Sequence, residues 1–522
     1  MTQAATASGK ETNQERVIAF MSDGRTHGGA DVKRIDTHAA IVFLAGQKAY
    51  KLKRAVRFPF LDFSTLEKRK AACDREIERN RLFAPDIYLG VEPVTRDDSG
   101  NLAISGDGET IDWLVVMRRF DEMKTLDHIA DRHGIDDALA DGLADIMVEA
   151  HSKAEVRDAA SWIIDLGRYL EQNDEAFRAD PDLFPQHRAE ALTLEARKTY
   201  HRLGELLHAR GRQGKVRLGH GDAHLGNIVL IEGKPSLFDA VEFDDTIATG
   251  DILYDLAFLL MDLWERGERI AANRVFNRYL ALGSGATDYD ALTALPFFLM
   301  MRAAIRAKVT AAALPHQPAE GRPAAAASAR RYFECAERFM EPHTPRLFAI
   351  GGLSGTGKTT QARLLAPLVG HPPGAVLLRT DVFRKRHLGL GETEPAPPEA
   401  YEPQAHAEIY DLMLNAADRC LAGGCSVILD AVFAREEERE AARRLAKALE
   451  LPFAGIWLEA PHEVKTSRVT ARKADASDAS AKVVAMQESF DLGRMDWQRI
   501  DASRSIDEIQ EELGEYLGVR TG

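Results

Sequence analysis

Two histidines, an aspartate and an asparagine crowd into "RLGHGDAHLGNIVLI", Arg217–Ile231. A loop of form H-x-D-x-x-x-x-N places a carboxylate to accept a hydroxyl proton and, five residues on, a carboxamide to hold Mg2+. His220, Asp222 and Asn227 have that spacing. Zinc is the competing chemistry, but it asks for three or four ligands. Gly221 and Gly226 disfavour a helix that would pair His220 with His224, and no second His or Cys cluster accompanies them. A polar loop without chemistry is the third reading. Phosphoryl transfer makes further demands, and the chain meets them in order. "IVLIEGKPSLFD" reads as a hairpin ending in Asp239, a second metal-binding carboxylate. Upstream, "KAYKLK" supplies a strand lysine, Lys51, with Lys53 on the same face as runner-up, and Glu76 follows in a helix as its partner.

A second phosphate chemistry lies far downstream. "GLSGTGKT", Gly352–Thr359, satisfies G-x-x-x-x-G-K-[ST] between an expected strand and an expected helix. Gly352, Gly355 and Gly357, with Ser354 and Thr356 between them, let backbone N–H groups turn toward phosphate oxygens. Lys358 brings charge to the β- and γ-phosphates, Thr359 a metal-binding hydroxyl, and Thr360 continues the helix start. "SVILDAV" ends a strand in Asp430, where a metal-supporting carboxylate belongs. "TDVFR" sets Asp381 and Arg384 three residues apart, and "SRVTAR" sets Arg468 and Arg472 on one helix face, as a lid over phosphates requires. Surface ion pairing is the alternative for the two lid arginines.

The second set, over about 347–520, resembles the P-loop small-molecule kinases, among them gluconate kinase, chloramphenicol phosphotransferase and the polynucleotide kinase 5′-end domain. That resemblance implies Asp381 as general base and Arg384 as an acceptor contact. The first set, with "HGDAHLGN", "FDAVEFDD" and "GDILYDLAF", resembles the aminoglycoside phosphotransferase-like (choline/aminoglycoside kinase-like) family. There Asp255 is implied as a carboxylate bracing the catalytic loop. The flanks "THAAIVFLAGQKAYKLKRAVRFPFLDFSTLEKR" and "FAPDIYLGV" look like a bacterial branch in which such a domain is fused to a P-loop kinase-like domain. One departure stands out: no G-x-G-x-x-G loop precedes Lys51, and only Gly46 sits in the hairpin.

These residues need two scaffolds. The expected architecture is two domains, an α+β bilobal protein-kinase-like fold over 31–312 and an α/β P-loop kinase fold with a parallel sheet over 347–522. Residues 1–30 form an N-terminal extension holding one helix around "NQERVIAFM", and 313–346 a linker and helix. "HAAIVFLAG" and "KAYKLK" predict a hairpin, "STLEKRKAACDREIERNRLFA" a helix capped by Ser64, and "YLGVEPV" and "IDWLVVMRRF" strands. From Leu347 the apolar runs "LFAIGG", "AVLLRTD", "SVILDAV" and "FAGIWLEA" alternate with helical stretches, as a parallel sheet covered on both faces requires.

At 522 residues the chain exceeds one ordinary core. Its net charge of −14 is spread, −6 from Leu347 onward and −8 before it, so general nucleic-acid binding is not expected. No apolar run is long enough to span a membrane, and no secretory h-region opens the chain, so the expected location is cytoplasmic. Four scattered cysteines fit a reducing compartment. The expected cofactors are ATP and Mg2+ and the expected partner is a small-molecule acceptor, with oligomeric state open. The acidic run Asp239, Glu242, Asp244, Asp245, Asp251 and Asp255 could receive a cationic acceptor or be structural. Arg302 and Arg306 share a helix face and could turn toward substrate or toward the other domain. An ATP-binding regulator with a degenerate first domain, a polynucleotide 5′-hydroxyl kinase and a protein kinase are the rival readings.

Overall fold

The computed structural model describes residues 13–58, 61–283, 286–471 and 477–519. They fall into two compact units: Met1–Gly134, Glu149–Trp162 and Gly211–Asp255 form the first, and Ile135–Val148, Ile163–Arg210 and Leu256–Gly522 the second.

The first unit is built on a six-stranded antiparallel sheet. Its order is Val32–Asp36, Ala40–Ala45, Lys48–Lys53, Glu109–Arg118, Tyr88–Arg96, Leu102–Ile104. One face packs Ile41, Phe43, Leu52 and Leu114 against Val17 and Met21 of helix Asn13–Ser22, so the segment before residue 31 contributes to this core. Helix Leu66–Arg81 packs against Val115 through Cys73 and Ile77, joined by Tyr88 and Val229. Its cap is not Ser64. Thr65 accepts the Lys68 N–H at 3.3 Å, whereas the Ser64 hydroxyl is taken up by Asp62 at 2.5 Å. Side chains two apart on a strand share a face, which carries Lys51 and Lys53 together toward this helix. The second hairpin pairs Ile228–Ile231 with Lys234–Leu237. Its turn residues Glu232 and Gly233 both have positive φ, +53° and +81°, which matches the strand twist of a two-residue hairpin.

The second unit joins a helical layer to a five-stranded parallel sheet. The sheet order is Val376–Arg379, Val427–Asp430, Leu347–Gly351, Phe453–Glu459, Gln498–Asp501. All four strands expected from apolar runs are present, and Gln498–Asp501 is an additional edge strand. Leu347–Gly351 and Val427–Asp430 are buried throughout, which explains their unbroken apolar text. Leu347–Gly351 lies where the strand order reverses, and open α/β sheets form a crevice beyond the carboxyl end of such a strand. The chain enters helix Lys358–Leu365 at that point. In the helical layer, Arg322–Arg338 is a helix within residues 313–346 that buries Ala329, Tyr332, Phe333 and Ala336. Arg302 and Arg306 turn inward over aromatic rings: Arg302 is 4.8 Å from the Phe258 centroid and Arg306 5.5 Å from that of Tyr332.

Candidate active sites

In the first unit, strand, helix and hairpin deliver their charges to one place. Lys51 Nζ lies 2.8 Å from Glu76 Oε1 and 3.1 Å from Asp239 Oδ1. Lys53 Nζ, its side chain only 2 % exposed, pairs with Glu76 and, at 2.6 Å, with Glu242 Oε1. Glu76 therefore holds both lysines: Lys51 reaches the half-exposed Asp239, and Lys53 is sealed beneath. Burial alone would raise the Glu76 carboxyl, but the two ammonium groups outweigh it and bring it to about 2. Burial disfavours the Lys51 ammonium in turn, yet Asp239 and Glu76 hold its pKa well above that of a free lysine.

The loop from His220 to Asn227 is fixed from below. Asp255 accepts the backbone N–H of His220 at 3.0 Å and of Gly221 at 3.1 Å, and His151 Nε2 lies 3.2 Å from it. Gly221 has φ +82°, and a Cβ there would come within 2.9 Å of the Ala248 backbone. His220 is buried with Nε2 3.0 Å from the Phe238 carbonyl, and burial pushes its pKa down. His224 Nδ1 accepts the Gly226 N–H. Both histidines shape the loop, and among the described residues no group of three or more His, Cys, Asp or Glu is arranged to hold a metal. Asn227 Nδ2 donates to Asp222 Oδ2 at 2.9 Å and to its carbonyl at 3.0 Å, so the two meet across the loop. Asp239 sits at φ +58°, its N–H given to the Tyr88 hydroxyl, and the next N–H goes to Asn80.

The acidic run is consumed structurally in large part. Glu242 holds Lys53, Asp244 caps a short helix at Thr246, Asp245 lies 3.4 Å from Arg157, and Asp251 accepts from Leu253. The turn between the first two strands, Thr37–Ala39, has no glycine. Arg54 ties it instead, donating to the Thr37 carbonyl at 2.9 Å and pairing with Asp36.

In the second unit the phosphate loop has left-handed glycines at 352, 355 and 357, with φ +145°, +85° and +91°. A Cβ on Gly355 would stand 2.5 Å from the Lys465 carbonyl oxygen, so only glycine fits there. Thr359 Oγ1 donates to Asp430 Oδ2 at 2.6 Å, and Arg379 Nε is 3.4 Å from the same oxygen. Lys358 Nζ rests 3.2 Å from the Leu353 carbonyl. A cavity of about 1590 Å³ opens here, lined by Ser354, Gly355, Gly357, Lys358, Thr359 and Thr360, and farther along by Asp381, Arg384 and Asp430. Gly352 and Thr356 build the loop, Thr356 bonding back to Leu353 at 2.8 Å. Arg384 Nη1 is 2.8 Å from Asp381, and its guanidinium stacks 4.5 Å over Tyr401. Of the lid pair, Arg468 Nη1 reaches the Thr356 carbonyl at 3.4 Å, and Arg472 lies outside the described residues.

Sequence reasoning missed two contributors, Gln487 and Arg379, and it named Lys53 and Glu242 without their pairing. Lys53 and Glu242 meet across 189 positions. Gln487 Oε1 accepts the Ser354 N–H at 2.7 Å, and Arg379 supports Asp430.

The described residues contain no helix long and apolar enough to cross a membrane. A family model described as phosphotransferase enzyme family matches residues 60–295, and one described as an AAA domain matches 347–492. Uncharacterized proteins of Mycobacterium tuberculosis and Mycobacterium bovis are 32% identical over 488 residues, covering 90% of this chain and 92% of theirs. Among solved structures, the GDP complex of aminoglycoside 2′-phosphotransferase-IIIa is 14% identical, covering 62% of this chain and 99% of that one, with TM-score 0.37. The Mycobacterium tuberculosis APS kinase in complex with AMPPNP and APS is 21% identical, covering 34% of this chain and 99% of that one, with TM-score 0.26. The chain belongs to the same family as these mycobacterial proteins, and in it a phosphotransferase-family, kinase-like domain precedes a P-loop kinase domain.

Proposed function

We propose that this protein transfers the γ-phosphoryl group of ATP to a hydroxyl of a small molecule, with a nucleotide site in each module. The observation that carries this reading is Lys51, which sits on Glu76 and Asp239 at once, so that helix, strand and hairpin agree on one phosphate position. Lys51 orients the phosphates, and Asp222, held by the Asn227 carboxamide, accepts the acceptor's hydroxyl proton. In the second site Lys358 and the loop amides hold the phosphates, Asp381 is the base, Arg384 contacts the acceptor, and Arg468 and Arg472 serve the lid. The oxygen-rich pairs Asn227 with Asp239, and Thr359 with Asp430, suit a hard cation that keeps water and phosphate oxygens as its other ligands. Mg2+ held there would neutralise charge on the transferring phosphoryl group. Transfer rests on positioning and charge, with little covalent chemistry left to the protein.

Labelled ATP offered with a panel of metabolites and aminoglycosides, to wild type, Asp222→Ala and Lys358→Ala, tests the proposal. Loss in both variants supports two working sites. Loss in Lys358→Ala alone makes the first module a nucleotide sensor, the reading that its glycine-free turn Thr37–Ala39 favours. Label on nucleic acid or polypeptide replaces the small-molecule acceptor, and transfer unaffected by either variant sinks the catalytic reading.

A further inference from the structure

Residues from the region matched to the phosphotransferase family meet the strand before helix Thr380–His387, which carries Asp381 and Arg384, the helix itself at Arg386, and the loop after it. Immediately before the helix, the strand Val376–Arg379 is an edge of its sheet among the described residues, with a strand neighbour on one side. Asn277 takes the other side. Its Oδ1 accepts the Leu377 N–H at 2.6 Å and its Nδ2 donates to the Ala375 carbonyl at 3.1 Å, so one carboxamide imitates a neighbouring strand. Asn273, almost fully buried, donates to the same carbonyl at 3.1 Å. Gly374 makes that approach possible: it has φ +117°, and a Cβ there would lie 2.7 Å from Asn273 Nδ2. Within the helix, the Arg386 guanidinium acts on the buried Tyr289 hydroxyl, favouring its ionised form. Beyond it, Arg278 spans Asp145 at 2.7 Å and Glu392 at 2.8 Å, and Glu392 gives its carbonyl to Lys385 of the same helix at 3.0 Å. Arg274 and Arg278 also line the cavity that holds Lys358 and Asp381.

Covering an exposed sheet edge would by itself explain Asn277. It does not explain Tyr289 and Arg278, which grip the acceptor helix and its following loop rather than the edge. From this placement we infer that helix Arg269–Leu282 and Tyr289 are positioning elements of the P-loop kinase: the preceding module completes the acceptor side of a site whose nucleotide side is built without it. This rests on the P-loop reading above. The phosphate loop, Thr359 and Asp430 stand on the central strands, whereas Asp381 follows the gripped edge strand. Displacing a reacting group by about 1 Å costs on the order of 100-fold in rate.

The test uses the full-length protein and two readouts: MgADP affinity by calorimetry, and Lys358-dependent turnover of labelled ATP in the presence of the acceptor panel. Arg278→Ala and Tyr289→Phe are compared with wild type and Lys358→Ala. The expected result is turnover lowered about tenfold or more in Arg278→Ala, and less in Tyr289→Phe, with MgADP affinity within about twofold of wild type. Arg278→Lys, which keeps the charge but not the two-sided fork, should restore part of the rate. Wild-type turnover in both variants overturns the inference, and so does a parallel loss of MgADP affinity, which would make these contacts fold-keeping only. Turnover indifferent to Lys358→Ala instead removes the P-loop reading on which the inference stands.

Discussion

The two proposed phosphate sites of this chain are built from opposite materials. The proposed P-loop site is made of backbone: left-handed glycines, amide groups and one helix start, with Lys358, Thr359 and Asp430 as the few side chains assigned to it. The kinase-like site is made of side chains brought from far apart, four of which (Lys51, Lys53, Glu76 and Glu242) form one buried charge network. A backbone cradle is specified within eight residues and tolerates little substitution inside them. A side-chain network tolerates changes in the chain between its members but fails when any one charge is left without its counterpart.

The sharpest way to break this contrast is to remove one chemical group from each site. Asp222→Ala should lower transfer by the first module by about 10²–10⁴-fold. Lys358→Ala should lower transfer by the second by about 10²–10³-fold, each measured with labelled ATP on the acceptor of that module. Equal loss of both activities from either change would show that the sites are not independent. Next in size is a single methyl group. Gly355→Ala drives Cβ into the Lys465 backbone and should abolish measurable nucleotide binding at the P-loop. Gly46→Ala, with its nearest neighbour 4.0 Å away, should cost only about 1–2 kcal/mol, the left-handed penalty, in denaturant unfolding.

Glu76→Ala should destabilise the first unit by about 3–5 kcal/mol in the same measurement, because two buried ammonium groups lose their shared carboxylate. No single charge in the P-loop site should cost as much. The smallest effect is set by pH. Because the Glu76 carboxyl is held near 2 in the folded chain, its contribution is complete at neutral pH and is lost as pH falls from about 4.5 toward 2. Acid unfolding of the first unit should therefore lose part of its steepness in Glu76→Gln, while Lys358→Ala should leave the curve unchanged.

Legibility in the sequence follows the same division. "GLSGTGKT" and "HGDAHLGN" could be read because the spacing within each loop dictates its own geometry. Strands Leu347–Gly351 and Val427–Asp430 could be read because burial on both faces leaves an uninterrupted apolar run. Gln498–Asp501 could not, since only Ile500 of this edge strand is buried and no periodicity marks it. Thr65 rather than Ser64 caps helix Leu66–Arg81, a choice between adjacent hydroxyls that Asp62 settles by taking the first. The pairing of Lys53 with Glu242 and of Asn277 with Leu377 spans 189 and 100 positions, and local pattern carries no trace of contacts at that separation.

Cys73 gives the first site a built-in chemical clock. It lies one turn before Glu76 on helix Leu66–Arg81, fully buried, and burial pushes its thiol to about 12. A thiol in that state is inert to alkylating reagents at neutral pH, since the thiolate is the reactive form. Its modification can proceed only while the helix stands away from the sheet, so the labelling rate at Cys73 counts the openings of the Lys51–Glu76 pair. Nucleotide bound at that pair should slow the count.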